Sequence, residues 1–111
     1  MSELRGMIER ALKLLVPIMG LETWELEVKY VRRTPKATKQ RSMATCKAWP
    51  VHEEATLTFY LDVIADSTNG TRREVEDLVA HELVHAVLWP GRHVEMVTTH
   101  VARSVLRALR R

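Results

Sequence analysis

The chain reads as one small α+β domain, and three observations predict that class. Apolar residues recur at helical spacing over residues 3–15. Apolar and polar residues alternate over 24–30, 43–49 and 55–61, as in half-buried strands. Two further helical segments follow residue 71, so the expected order is α-β-β-β-α-α. With 111 residues, 46% of them apolar and 28% charged, the chain has material for one modest core and none for a second module.

Each element has a local cause. Leu4, Met7, Ile8, Ala11, Leu12 and Leu15 share one face of the first helix, which Pro17 and Gly20 are expected to end. Trp24, Leu26, Val28 and Tyr30 would face inward from the first strand. Residues 34–42 are polar and basic, and are expected as a long hairpin loop or flap. Residues 43–49 make a second, weaker strand in which the single cysteine, Cys46, takes the part of a small buried apolar residue. One cysteine also excludes an intramolecular disulfide framework. Residues 50–53 turn the chain into the third strand, and the sheet is expected to be antiparallel.

The next helix has the clearest boundaries. Asn69-Gly70 signals a turn, Thr71 and Glu74 have the spacing of a capping box, and Pro90-Gly91 closes the segment. Between them, Leu78, Val79, Ala80, Leu83, Val84, Ala86, Val87, Leu88 and Trp89 leave little polar surface, so this helix is expected at the centre of the domain. Its polar exceptions from residue 78 onward are His81, Glu82 and His85, in the pattern His-Glu-x-x-His. At 100° per residue the three occupy an arc of about 100°, one notch in an apolar cylinder. Buried imidazoles and a carboxylate need partners, and one shared metal ion would satisfy them together. Chance alone would give the pattern at about the two per cent level in a chain with five His and eleven Glu, so its helical, buried context carries much of the weight.

A catalytic zinc ion commonly takes three protein ligands and keeps a position for water. On the last helix, Val94, Val97, Val101, Ala102, Val105, Leu106, Ala108 and Leu109 form a broad apolar sector. Glu95 falls within it, where an unpaired carboxylate would be out of place, and is the preferred third ligand. His93 is the alternative. His100 falls opposite, with Met96, Arg103 and Arg107, and reads as a solvated residue.

The motif with a glutamate on the following helix resembles the gluzincin branch of zincin metallopeptidases, above all its minimal bacterial, archaeal and phage-type members. The stretch HELVHAVLW, residues 81–89, is also similar to the active-site helix of SprT-like metallopeptidases, which commonly use a third His; that keeps His93 in play. The metzincin pattern is not met, because Leu88 and Gly91 stand where it needs Gly and His. The resemblance implies a zincin-like fold with an antiparallel sheet packed on a central metal-binding helix. It implies one Zn2+ ion held by His81, His85 and Glu95, with Glu82 as general base for hydrolysis of a peptide bond. Thr99 would support the ligand by a hydrogen bond. Tyr60 is a candidate oxyanion donor, with Tyr30, His52 and His93 also available. Residues 55–61 would form either an edge strand that pairs with substrate or an interior strand.

Two other functions compete. Lys29, Arg32, Arg33, Lys36, Lys39, Arg41 and Lys47 surround the expected basic hairpin, and Arg103, Arg107, Arg110 and Arg111 end the chain, which permits nucleic-acid contact as in a SprT-like protease. A net charge of only +3 favours an ordinary solvated basic surface instead. In the other alternative, the protein is a non-catalytic phage-type structural component stapled by zinc. No signal peptide or membrane span is apparent, so a cytoplasmic location is expected.

Overall fold

The computed structural model describes residues 2–34, 42–88 and 94–110; the side chains of 2, 88 and 94–100 lie outside that description. The fold is α+β, with helix α1 (Ser2–Ile18), strands β1 (Glu25–Val31), β2 (Ala44–Trp49) and β3 (Glu54–Tyr60), and helices α2 (Leu61–Ser67), α3 (Arg72–Leu88) and α4 (Val94–Leu109). A single turn of 3-10 helix, Pro50–His52, joins β2 to β3.

Helix α1 runs past the expected stop and holds Pro17 in its last turn. Its end is set by Gly20 at φ 72. The Leu21 amide donates to the Val16 carbonyl and the Gly20 amide to that of Pro17, the paired bonds of a Schellman cap. Leu21 is then buried in the core beside Leu4, Ile8, Ala11 and Leu15. The apolar stripe of α1 was therefore legible, and the capping geometry, not the proline, decides its length.

The sheet order is β1-β3-β2, with β1 parallel and β2 antiparallel to β3. This corrects the antiparallel expectation. Only the short Pro50–His52 turn forces adjacent, antiparallel strands; the longer connection from β1 to β2 leaves β1 free to pair on the far side of β3. The segment 34–42 is thus not the loop of a hairpin, since the strands it joins are not neighbours; residues 35–41 lie outside the described residues. Strand β3 is central rather than an edge, and Leu61 begins α2 rather than ending the strand. The two edges are β1 and β2.

Alternation along the strands sorts the sheet into two faces. Leu26, Val28 and Tyr30 of β1, Ala55, Leu57 and Phe59 of β3, and Ala44, Cys46 and Ala48 of β2 stand on the inner face in register. Glu25, Glu27, Lys29, Thr56 and Thr58 stand on the other. The Tyr30 and Phe59 rings stack at 6.1 Å, and the Arg5 guanidinium lies 4.5 Å from the Tyr30 ring centroid, tying α1 to β1.

Helix α2 was not expected. Seven residues are too few for a periodic signal, but Leu61, Val63 and Ile64 are buried and hold it in place. The Asp62 carboxylate accepts from the Thr34 amide at 2.8 Å and hydroxyl at 2.7 Å, and from the Val63 amide at 2.9 Å. Helix α3 packs against α1, α4 and β2 and is central, as its all-round apolarity requires. Among the described residues, no helix is long and apolar enough to cross a membrane.

Candidate metal centre

Helix α3 is fixed at its start by the expected cap, with one change of partner. The Glu74 amide donates to Thr71 Oγ1 at 3.2 Å, and the Thr71 hydroxyl donates back to Glu74 Oε1 at 2.9 Å. The Glu74 carboxylate then accepts from the Asn69 amide rather than from that of Thr71. The preceding turn decides this: Gly70 at φ 69 swings the Asn69 amide toward the helix. The rotation of α3, and with it the direction of every later side chain, is locked at this end and by the burial of Val75, Val79, Leu83 and Ala86.

With α3 so rotated, the notch predicted from the wheel is realised. His81 and His85 are half-buried, and Glu82 is 6% exposed. The two imidazoles meet edge to face with centroids 4.7 Å apart, and their Nε2 atoms lie 3.1 Å from each other. One ligand atom from each of His81, Glu82 and His85 falls within 4.8 Å of the others. Two nitrogens at about 2.0–2.1 Å from a tetrahedral zinc ion stand roughly 3.3 Å apart, so the imidazole pair fits such an ion with little movement. The Glu82 carboxylate lies beside the pair.

Close packing on β2 explains how the notch is enclosed. The strand presents Ala44, Cys46 and Ala48 toward α3, and Ala48, Ala55 and Ala86 form a small buried cluster with Cys46 at its margin. Small side chains on both elements let helix and strand approach, which removes Glu82 from water. Cys46 registers that neighbourhood. Burial pushes its thiol up to about 12, and the charge of Glu82 adds to the effect. Cys46 therefore behaves as the small apolar residue the sequence implied.

The site opens into a cleft of about 610 Å³ that His81 and Glu82 line together with Ser42, Met43, Ser67 and Asp77. The start of β2, an edge strand, forms one wall. Edge-strand character thus belongs to β2 at this cleft, and not to residues 55–61.

The remaining candidates divide. Tyr60 alternates with buried Phe59 on β3, faces away from α3, and is not among the cleft residues, so it is not brought to the site. Tyr30 is committed to Phe59 and Arg5. His52 lies in the exposed turn at the other end of β2. Glu95, Thr99 and His100 belong to α4, but their side chains fall outside the described residues, as does all of His93. The backbone of α4 does show how the two helices run. Arg110 reaches the start of α3, donating to Asp77 Oδ1 at 3.3 Å, to Glu76 Oε1 at 3.2 Å and to the Arg73 carbonyl at 3.4 Å. Ala102 and Leu106 are buried, and they flank a small cavity with Asp77 and His81. The helices are therefore antiparallel neighbours.

Of the expected basic hairpin, Lys29 pairs with Glu27 at 3.5 Å, and Lys36, Lys39 and Arg41 lie outside the described residues. In the linear sequence Asp77 and Arg73 stand only as charged residues in the first turns of α3. Asp77 reaches the cleft from one turn before His81 on α3, and the pairing of α3 with α4 sets Arg73 opposite Arg103 and Arg107. No protein-family model matches the chain, and comparison with curated proteins and with solved structures returns no match.

Proposed function

We propose that this protein is a small zinc-dependent metallopeptidase of the zincin type, with His81, His85 and Glu95 as ligands and Glu82 as general base. The observation that carries the reading is the 3.1 Å separation of two imidazole nitrogens on a buried helix, with a nearly enclosed carboxylate next to them and an open cleft in front. When bound, the metal supplies a Lewis-acid centre that acidifies water and polarises a carbonyl.

The chain's own residues do the rest. The imidazoles would hold the metal through Nε2, and α3 fixes their spacing through its pitch. The Glu82 carboxylate, shielded from bulk water by β2, takes a proton from the attacking water oxygen and delivers it to the departing amide nitrogen. The cleft between the start of β2 and α3 receives the extended substrate, and β2, which among the described residues pairs only with β3, offers it a strand edge.

Glu82→Gln tests the assignment. The variant should keep the full zinc content of the parent by elemental analysis and lose about 10²–10⁴-fold of peptide hydrolysis. A parent protein that holds zinc yet cleaves nothing in a peptide library would instead mark the ion as a structural staple.

A further inference from the structure

We infer that the groove between α3 and α4 is a subsite for acidic residues of a peptide substrate, reading carboxylates through Arg73, Arg103 and Arg107. The inference rests on the peptidase reading for cleavage, but not for binding. A concavity of about 530 Å³ lies between the helices, lined by these three arginines with Asp77, Leu106 and Arg110. Asp77, Arg103 and Leu106 also line the smaller cavity of about 180 Å³ that contains His81. His81 and Asp77 in turn line the main cleft. The three concavities therefore adjoin one another through shared lining residues, from the candidate metal ligand to the arginines.

The charges along this path are not equivalent. Arg110 is committed to Glu76 and Asp77, at 3.2 and 3.3 Å. Among the described residues, no ion pair or hydrogen bond engages the guanidinium groups of Arg73, Arg103 or Arg107, and all three residues are exposed. Arg103 and Arg107 are four apart on α4 and so point to one side, facing Arg73 across the groove. Three planar forks around one concavity match carboxylates, which accept two parallel N–H bonds from a guanidinium.

A nucleic-acid strand is the competing polyanion, and the groove suits it less. Asp77 sits within the lining and Glu74 and Asp77 line the adjoining cleft, so a backbone with a charge every ~3.4 Å would meet like charges along it. A peptide can place a carboxylate opposite the arginines and a neutral or basic residue opposite Glu74 and Asp77. The cleft therefore selects for acid on the α4 side of the scissile bond.

Fluorescence polarisation with the Glu82→Gln protein tests binding in the absence of turnover. The probes are a labelled decapeptide rich in Glu and Asp, its Gln and Asn counterpart, and a single-stranded oligonucleotide. The acidic peptide should bind at least about tenfold more tightly than the neutral one, and Arg103→Glu with Arg107→Glu should erase that preference. Arg103→Lys with Arg107→Lys should keep part of it, which a merely misfolded variant would not. In the active protein, the same charge reversal should lower the ratio of acidic to neutral peptide cleavage. Equal binding of the two peptides, or an oligonucleotide that binds more tightly through the same arginines, would overturn the inference. Preference for the acidic peptide without any cleavage would preserve the subsite and remove the peptidase reading. Cleavage without that preference would do the reverse.

Discussion

Zinc should raise the thermal stability of this protein by an amount that can be worked out beforehand. A ligand that binds only the folded state at a thousandfold excess over its Kd adds about 4 kcal/mol. Unfolding a domain releases about 2.1 cal/mol/K per residue near its midpoint, hence roughly 0.23 kcal/mol/K for 111 residues. Each kcal/mol then moves Tm by about 4 °C, and saturating zinc should move it by about 15–20 °C. The structure supports a gain of this order because the Nε2 atoms of His81 and His85 already stand 3.1 Å apart on a rigid, buried helix. Little ordering remains to be done when the ion arrives. Differential scanning calorimetry of chelator-treated protein, with and without zinc, measures the shift. His85→Ala should abolish nearly all of it while costing the metal-free protein little, because the ring is half-buried rather than part of the packed core. A Tm that zinc leaves unchanged, or a shift that survives in the double variant His81→Ala with His85→Ala, refutes the argument.

Further outcomes are expected from other residues. Glu95→Ala should empty the site in a zinc titration while His93→Ala should not; the opposite pattern would assign a three-histidine centre. With its thiol pushed up to about 12 from an ordinary 9.0, Cys46 should hold about a thousandfold less thiolate at about pH 8 than a free thiol. The greater nucleophilicity of a more basic sulfur reduces the expected deficit in iodoacetamide labelling to about 30-fold, and labelling at the rate of the urea-unfolded chain would contradict the burial. Because that shift favours the protonated thiol in the fold, its contribution to stability is present at neutral pH. It is lost as pH rises from the unfolded value toward 12. Ala86→Leu should cost about 1–3 kcal/mol in urea unfolding and weaken zinc binding, since Ala86 is fully buried where α3 meets β2. The adjacent Val87→Leu, on an exposed face, should stay within about 0.5 kcal/mol of the parent.

Features that depend on a few neighbouring residues were legible in the chain alone. The start of α3 follows from Thr71 and Glu74, its central position from its apolar surface, and the meeting of His81 with His85 from the pitch of a helix. These are short-range matters, fixed by backbone geometry within one or two turns. The same holds for the strands, whose alternation gave their positions to within a residue or two. Tertiary structure decided which strands became neighbours. Alternation shows which face of a strand is buried and is silent about its partner, so β3 could be edge or centre and β1 parallel or antiparallel until the whole chain was packed. Packing also decided the surroundings of the notch. That β2 packs on α3 with Cys46 near Glu82, that Tyr60 faces away, and that Arg73 meets Arg103 and Arg107 across a groove are consequences of how separate elements dock. Chain neighbours specify the pair of imidazoles; contacts between residues far apart in the chain specify what that pair faces.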